Sequence, residues 1–501
     1  MTIIDYRPFL AVAIPFIAAI FIAFSRKYPN VRESWSIIAS ILKFGVVISM
    51  VPAVLEGNYY EWTICRITDT VDLSLKTDPA GMLFATLASL LWIPINFYSI
   101  GYMRCNKEKE QTGYFVAFAI CMCAVMGIAM SANLLTFFIF YEILTLASYP
   151  LVLHKRNEEA LMASRKYLIY TLISGQLFLA GVVAVYCISG TMDFTPGGFL
   201  TADMAPKWVL QAIFVLMILA GSVKAAVMPL HGWLPAAMIA PTPVSALLHA
   251  VAVVKTGVFC ILRVIGFVFG PQLLTQLNVV DVLAWAAAAS ILISSLIALR
   301  QDHLKRRLAF STIGQLSYIV LGAALLSPLS IKGAYLHLVA HAVMKITLFM
   351  CAGLIIARTH RHNISELYGI AKKMPVTMAC FTIASLGIAG MPFLVGFISK
   401  WNLALGALES GKSLYVFVWF ASAILALSYL MPICQIAYFK RDPYEKFRTY
   451  GDLSYSMLIP ICFTAFLAVL LGVIPDFYPN FYQMATMAAD SICQGWLGGG
   501  Y

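Results

Sequence analysis

The sequence has few charged residues. Asp, Glu, Lys and Arg together make up 11% of the 501 residues, whereas hydrophobic residues make up 61%. A water-soluble chain of this length needs a charged surface and divides into two or more domains, so the composition excludes that class. A bilayer accepts apolar helices side by side. With a mean hydropathy of +0.85, the sequence predicts an integral membrane protein with one polytopic domain.

The sequence also lacks ordered cysteine motifs. Its eleven cysteines are scattered through apolar runs such as AICMCAVM, and no pair of CxxC motifs occurs. Neither a disulfide framework nor a metal site is therefore expected.

Long apolar runs are abundant and predict the organisation of the chain. Runs of about 20 residues, the length that crosses a bilayer, indicate fourteen membrane spans in an all-α protein. We expect the first span to be retained, because MTIIDYRPFLAVAIPFIAAIFIAFSRK has neither a basic n-region nor a small-residue cleavage site. The spans begin near Pro8, Trp35, Gly81, Gly113, Leu134, Tyr167, Val209, Val244, Val279, Leu308, Gly333, Pro375, Leu414 and Ser456.

Basic residues outnumber acidic ones by 34 to 23, and they cluster in the loops after spans 1, 3, 5, 9, 11 and 13. Basic loops mark the cytoplasmic side of a membrane protein. The excess positive charge therefore orients the helices and need not bind nucleic acid, and both termini are predicted on the non-cytoplasmic side. The basic residues of these loops are Arg26, Lys27, Arg32, Arg104, Lys107, Lys109, Lys155, Arg156, Arg165, Lys166, Arg300, Lys305, Arg306, Arg307, Arg358, Arg361, Lys372, Lys373, Lys440, Arg441, Lys446 and Arg448.

Two spans contain helix-breaking residues. Span 7 runs into PLHGWLP at 229–235, and span 12 contains GMPF at 390–393. The two lie five spans apart, which predicts two inverted five-helix repeats with broken helices 7 and 12, a pattern typical of transporters. The predicted divisions are an N-terminal group of three helices at 1–112, a first repeat (helices 4–8) at 113–266, an inverted second repeat (helices 9–13) at 279–440, and helix 14 with the C-terminal tail at 454–501.

Ionisable side chains deep in membrane spans are rare, because each costs about 2.5–3.5 kcal/mol near the bilayer centre. A salt bridge that locks two helices together would explain any one of them. Four lysines, however, cannot all pair with one carboxylate, so some must be hydrated or neutral part of the time. Burial favours the neutral form of lysine, which suits proton transfer. Lys43 is less central and could extend its ammonium to the membrane interface. The deep residues are Glu142, Lys224, Lys255, Lys345 and Lys400.

Histidines accompany these lysines. The stretch HLVAHAVMK places His337, His341 and Lys345 at i, i+4 and i+8, on one face of a helix. His249 precedes Lys255 by six residues, so the two should point to different sides of helix 8. Neutral imidazole both donates and accepts, which suits it to relaying protons.

Other roles for the histidines remain open. His337 and His341 could ligate a metal, but no nearby Asp, Glu or Cys completes a shell. Haem ligation usually takes histidines from separate helices. His337 could instead be a hydrogen-bonded core residue, and the roles of Lys43 and His231 are undecided.

Several segments closely resemble the antiporter-like membrane subunits shared by respiratory complex I, membrane-bound hydrogenases and multisubunit Mrp-type sodium/proton antiporters. The resemblance covers most of the chain and is specific. The segments are GSVKAAVMPLHGWLPAAMIAPTPVSALLHAVAVVKTG, FFIFYEILTLASY, LKRRLAFSTIGQLSYIVLG, HLVAHAVMKITLFMCAG and GFISKW.

This resemblance implies fourteen helices with two inverted five-helix repeats and a hydrated row of charges parallel to the membrane plane. One complex I subunit type has glutamate at the position of Lys400, and the chain stops shortly after helix 14, so it looks most like an Mrp D-type subunit. The implied functional residues are Glu142 and Lys224 as a pair on helices 5 and 7, Lys255 on helix 8, Lys345 with His337 and His341 on helix 11, and Lys400 on helix 12.

The leading hypothesis is a proton-translocating membrane subunit of a multisubunit ion-pumping complex in the cell inner (cytoplasmic) membrane, with Na⁺/H⁺ exchange as an option. No cofactor, metal, nucleic acid or catalytic chemistry of its own is expected. The predicted partners are other membrane subunits of an Mrp-, complex I- or hydrogenase-type complex, protons, Na⁺ and the lipid bilayer. The rival hypotheses are a quinone- or haem-associated subunit of a redox complex, a static membrane scaffold, and, less favoured, a solute carrier that works alone.

Overall fold

The computed structural model describes residues 1–68, 71–441, 451–452 and 454–494, and most of these are helical. The N-terminal part contains β1 (Thr2–Ile4), α1 (Arg7–Phe24), α2 (Pro29–Leu55), β2 (Tyr59–Arg66), β3 (Asp72–Lys76) and α3 (Pro79–Cys105). The three strands form one sheet in which β1 pairs parallel with β2, and β2 pairs antiparallel with β3. Sequence analysis missed this sheet because its short strands lie between apolar runs that are much longer.

The next part of the chain contains four long helices followed by a series of short ones. Asparagine side chains cap two of the long helices: Asn133 accepts from the Thr136 amide and Asn157 from the Ala160 amide. The elements are α4 (Gln111–Ala129), α5 (Leu134–Val152), α6 (Glu158–Ser189), α7 (Lys207–Lys224), α8 (Trp233–Ala236), a 3₁₀ turn (Ala237–Ile239), α9 (Thr242–Ala250), α10 (Val253–Arg263), a π-helical segment (Val264–Phe269) and α11 (Gly270–Leu277).

The last part of the chain is also helical. A helix that sequence analysis missed follows the last predicted span, while residues 495–501 of the predicted tail lie outside the described residues. The elements are α12 (Val280–Arg300), α13 (Leu304–Ala324), α14 (Pro328–Thr359), 3₁₀ turns (Ile364–Glu366 and Ile370–Lys372), α15 (Pro375–Ala389), α16 (Val395–Glu409), α17 (Leu414–Phe439), α18 (Tyr455–Val473) and α19 (Phe481–Cys493).

Within the described ranges, twelve helical segments are long and apolar enough to cross a membrane. The two other predicted spans fall on α13, which is rich in polar residues, and on α15 with α16, which have 15 residues each. The prediction of a helical, multi-pass membrane protein is confirmed, with the small N-terminal sheet as an addition. The count of fourteen spans and the inverted repeats stay predictions.

The interruptions in helices 7 and 12 are present. α7 ends at Lys224, and regular helix resumes only at Trp233. α15 ends at Ala389, Gly390 takes a left-handed φ of 93°, and α16 starts at Val395. Backbone carbonyls at such ends lack helical partners and can accept hydrogen bonds from side chains.

A third interruption was not predicted. α9 ends at Ala250 and α10 begins at Val253. The expectation that His249 and Lys255 point to different sides of one helix is therefore wrong, because they lie on separate helices. The helical segment Thr242–Leu277 also continues past residue 266, where we placed the end of the first repeat.

Several basic residues that were assigned to loops lie in helices. Arg165 and Lys166 belong to the third turn of α6 rather than to the preceding loop. Arg104, at the end of α3, forms an ion pair with Glu33 of α2. Lys446 and Arg448 lie outside the described residues.

The centre of the molecule is formed by α14 and by the segment Thr242–Leu277. The most apolar stretch of each is completely buried inside the protein. α14 packs against α3, α9, α13, α15, α16, α18 and α19. In helices such as α1 and α17, only 39% and 33% of the residues in the most apolar stretch are buried. This is expected for helices that face lipid. The ionisable residues of α14 therefore lie in the buried centre of the fold.

Candidate functional site

Lys224 is the last residue of α7, and its fully buried side chain crosses to α5. Its Nζ donates to the Tyr141 carbonyl oxygen at 2.6 Å and lies 3.0 Å from the centre of the Tyr141 ring. The ammonium is thus held by a carbonyl dipole and a π-face. Sequence analysis missed Tyr141, although it directly precedes Glu142.

Glu142 lies on α5 next to Tyr141, within electrostatic range of Lys224. Within the described part of the chain, the two side chains form no salt bridge, and the Glu142 Oε1 is buried without a hydrogen-bond partner. The carboxylate occupies the space that Gly175 leaves on α6, where any larger residue would collide with it. The structure therefore brings the predicted pair together without a direct ion pair.

Lys255 connects α10 to α14. Its Nζ lies 2.8 Å from the His341 Nδ1 and donates to the Leu338 carbonyl at 3.0 Å. Gly257, two residues later, packs so closely on the backbone at the end of α7 that a side chain there would collide with Lys224 and Ala225. This packing holds the start of α10, which carries Lys255, against the end of α7.

His337 continues the row along α14. Its Nδ1 shares a hydrogen bond of 2.9 Å with the Ser399 hydroxyl, and its ring stacks on Tyr318 with 5.2 Å between centres. Lys400 also lies near Tyr318, with its Nζ 5.1 Å from the ring centre. The Lys400 Nζ donates to the Ile388 carbonyl at 2.6 Å, one of the carbonyls exposed by the break in helix 12.

Lys345 turns toward α13. Its Nζ donates to the Ser311 hydroxyl at 2.7 Å and to the Leu308 carbonyl at 3.2 Å. His249 lies within electrostatic range of Lys345. Both His249 ring nitrogens are buried without hydrogen-bond partners in the described part of the chain, and the ring centre lies 4.6 Å from that of Phe349.

We call Glu142, Lys224, Lys255, His341, His337, Lys345 and Lys400 the central row. Its lysines donate to carbonyls, a hydroxyl and an imidazole. Such neutral acceptors bind an ammonium group but stabilise its protonated form less than a carboxylate would. Hydrogen bonds of this kind suit the lysines of the row to binding and releasing protons.

Two other uncertain residues lie apart from the row. The Lys43 side chain is fully buried inside the protein. Its Nζ lies 4.3 Å from the centre of the Trp92 ring and has no hydrogen-bond partner among the described residues. His231 is half-buried beside Phe310, and its Nδ1 also lacks a partner.

Sequence analysis missed a buried ion pair. Arg263, at the end of α10, pairs with both carboxylate oxygens of Asp78, which also caps α3 by accepting from the Gly81 amide at 2.7 Å. The two signals available in the sequence were an arginine inside the apolar run CILRVIGFVFG and the cap pattern DPAG. The pair joins α3 to the central helices.

Sequence analysis assigned one further buried lysine to a loop, but it lies in a helix. Lys305, in the first turn of α13, donates to the Ala240 carbonyl at 2.6 Å. Just before it, burial together with the nearby Lys305 and Arg306 lowers the pKa of His303 to about 4. His303 is therefore neutral at pH 7, and its Nδ1 accepts from the Arg306 amide at 3.4 Å as the cap of α13.

Comparison with known proteins bears directly on this arrangement. Residues 131–426 match the family described as NADH:quinone oxidoreductase/Mrp antiporter, TM. The matched region contains the whole central row.

Individual relatives match nearly the whole chain. NADH-quinone oxidoreductase subunit N of Desulforudis audaxviator (strain MP104C) is 31% identical over 451 residues, which cover 87% of this chain and 88% of the relative. The D-type chain of the Na⁺/H⁺ antiporter of Bacillus subtilis (strain 168) is 25% identical over 484 residues, which cover 95% of this chain and 96% of the relative.

The fold is also present among solved structures. A chain of the Mrp complex from Dietzia sp. DQ12-45-1b superposes with a TM-score of 0.85 over 98% of both chains, at 21% sequence identity. The predicted family resemblance is confirmed: the chain belongs to the family of transmembrane subunits shared by NADH:quinone oxidoreductases and Mrp antiporters.

Proposed function

We propose that the chain is a proton-translocating membrane subunit of a multisubunit ion-pumping complex. The observation that carries this proposal is the hydrogen-bonded Lys255–His341 pair at the buried centre of the fold. An amine and an imidazole that share a hydrogen bond can exchange a proton without either group entering water. Na⁺ is a candidate exchange ion, because one relative is a Na⁺/H⁺ antiporter chain by name.

We assign a different step of proton transfer to each part of the central row. Glu142 and Lys224 form a pair in which movement or deprotonation of the lysine raises the proton affinity of the glutamate. Lys255, His341 and His337 relay protons through the centre, and Lys345 exchanges them with α13. His249, which is on α9, assists Lys345 of α14. Lys400 is the last member of the row and lies at the break in helix 12.

The proposed architecture has fourteen spans and two inverted five-helix repeats, 113–266 and 279–440. The interruptions after Lys224 and at Gly390 support it, since they recur five predicted spans apart. Interrupted helices expose backbone carbonyls at membrane depth, and transporters use such ends to hold ions.

The relatives also suggest a setting. By their names, one belongs to an NADH-quinone oxidoreductase and another to a Na⁺/H⁺ antiporter. We infer that this chain assembles with other membrane subunits in a complex of one of these types. We further infer that it lies in the cell inner membrane, with both termini on the non-cytoplasmic side, from the distribution of its basic loops.

Substitution of Lys345 tests the function against a static scaffold. Lys345→Met keeps most of the side-chain volume but removes the charge and the donor, so the assembled complex should lose ion transport in vesicles. Lys345→Arg should fail as well, because guanidinium does not deprotonate in a protein. A scaffold needs only a positive charge, so an Arg variant that transports normally would support the scaffold and defeat the proposal.

A further inference from the structure

The proposed function uses helix α13 only where Lys345 contacts it, but α13 carries a longer polar stripe. Arg307, Ser311, Gln315 and Tyr318 follow one another at i, i+4, i+8 and i+11, which places them along one face of the helix. None of the four is more than 8% exposed. Polar side chains at this spacing inside a membrane protein are costly unless they have partners, so the stripe needs a physical explanation.

The middle of the stripe is connected to the central row. The Lys345 Nζ lies 2.7 Å from the Ser311 hydroxyl, and the Ser311 hydroxyl lies 2.8 Å from the Tyr429 hydroxyl on α17. All three side chains are buried. A hydroxyl both donates and accepts, so the three groups form an unbroken chain of exchangeable protons.

The outer end of the stripe approaches the basic loop between α12 and α13. Arg307 lies one helical turn before Ser311, and its NH1 donates to the Tyr429 carbonyl at 2.9 Å. Its Nε donates to the Gln301 carbonyl in that loop at 2.8 Å. Tyr429 is thus held between Lys345 and the side of the protein where basic residues concentrate.

We propose that Ser311 and Tyr429 form a side branch that exchanges protons between Lys345 and the basic side of the protein. The inference rests on the proposed function of the central row. In the outward step, one N–H bond of Lys345 breaks as Ser311 receives the proton. The Ser311 proton passes to Tyr429, and the Tyr429 proton passes to a water molecule that enters from the basic side. This water is part of the proposal, because Tyr429 is only 1% exposed. No electrons are transferred, and each hydroxyl ends with one proton.

A purely structural role is the alternative, because the same hydrogen bonds tie α13 to α17. The chain offers matched controls for it. Ser317, also buried on α13, donates only to the Ile313 carbonyl of its own helix, at 2.9 Å. The Tyr335 hydroxyl on α14 is buried and has no hydrogen-bond partner among the described residues. Ser317→Ala and Tyr335→Phe therefore make the same chemical changes away from the branch.

The test is proton uptake by membrane vesicles that contain the complete complex, divided by the amount of assembled complex. Ser311→Ala and Tyr429→Phe should each lower the rate about tenfold, the effect of losing one hydrogen bond on the transfer path. The double variant should be no slower than either single variant, since one break already interrupts the branch. Ser311→Thr keeps the hydroxyl and should restore most of the rate, whereas both controls should transport normally.

Two outcomes would overturn the branch, and they can be told apart from failure of the function itself. If Ser311→Ala and Tyr429→Phe transport normally while Lys345→Met is blocked, the central row stands and the branch is wrong. If the two losses multiply in the double variant, the residues act separately and the single path is wrong. If Lys345→Met itself transports at the parental rate, both the branch and the proposed function fall.

Discussion

The lysines at the two ends of the central row have similar surroundings. Lys224 lies at the end of α7, directly before an interruption, and Lys400 lies on α16, directly after one. Each Nζ donates to a backbone carbonyl at 2.6 Å. Each also lies against a tyrosine ring, Tyr141 at 3.0 Å and Tyr318 at 5.1 Å.

The two sites differ in the residue that follows the tyrosine. Tyr141 is followed by Glu142, whereas Tyr318 is followed by Ile319. The Lys224 ammonium therefore has a carboxylate within electrostatic range, while among the described residues the Lys400 ammonium contacts a carbonyl dipole and a ring. An opposite charge favours the ionised form of a lysine, so Glu142 makes the two ends of the row electrostatically asymmetric.

The largest effect is expected from removing the carboxylate. Glu142→Gln makes the Lys224 end resemble the Lys400 end at nearly constant volume. Ion transport by the intact complex in vesicles should fall below detection. Assembly should stay normal, because the Glu142 Oε1 has no hydrogen bond to lose.

Two further variants calibrate this result. Glu142→Asp keeps the carboxylate at a shorter reach and should retain part of the transport. Glu159→Gln makes the same change on the exposed start of α6 and should have no effect. Transport at the parental rate in Glu142→Gln would show that the asymmetry has no functional role.

The second prediction compares the effects of removing Lys224 and Lys400 on the stability of the protein. Lys224→Met leaves Glu142 without its cation and should lower the free energy of unfolding by about 2 kcal/mol, somewhat below the cost of breaking a fully buried pair. Lys400→Met strands no carboxylate and should leave stability nearly unchanged, while also blocking transport. Thermal denaturation of the purified complexes measures the difference.

A double variant provides the control for this contrast. Glu142→Gln combined with Lys224→Met removes both charges and should recover most of the lost stability. If Lys400→Met destabilised the complex as much as Lys224→Met does, the carboxylate would not be the cause of the difference.

The third prediction displaces the carboxylate instead of removing it. Gly175→Ala places a methyl group where the Glu142 carboxylate now lies and forces that side chain to move. Transport should fall about tenfold, a barrier increase of about 1.4 kcal/mol, and the fold should persist because the carboxylate is the flexible end of a side chain. Gly45→Ala, on α2 with open space around it, should leave transport unchanged. A Gly175→Ala variant with the parental rate would show that the position of the carboxylate is unimportant.

The smallest effect concerns the tyrosine hydroxyls. The Tyr141 hydroxyl lies 2.7 Å from the Ser174 hydroxyl and 3.1 Å from the Ala220 carbonyl, whereas the Tyr318 hydroxyl donates to the Trp419 carbonyl at the longer distance of 3.2 Å. Tyr141→Phe should therefore lower stability by about 1 kcal/mol and Tyr318→Phe by less, since a net hydrogen bond contributes about that much. Both variants keep the ring beside the lysine and most of the transport. Equal losses of stability would contradict the difference in hydrogen bonding.

Much of the site was predictable because it depends on local periodicity. His337, His341 and Lys345 share a face of α14, as their spacing requires. The interruption near residue 229 was readable from its prolines. By contrast, nothing in the sequence around His249 and Lys255 predicted the break between α9 and α10, because ALLHAVAVVKTG contains no proline and reads as a continuous helix.

The sequence by itself determined the class of the protein and the positions of its buried charges along the helices. Apolar length and helical periodicity are local properties, and a bilayer forces such segments to satisfy their backbone hydrogen bonds internally. Only the tertiary structure decided the partners. Lys255 meets His341 across 86 residues and Arg263 meets Asp78 across 185, while Glu142 lies near Lys224 without bonding to it. Such distances depend on how whole helices pack against one another, and no local pattern in the sequence records that packing.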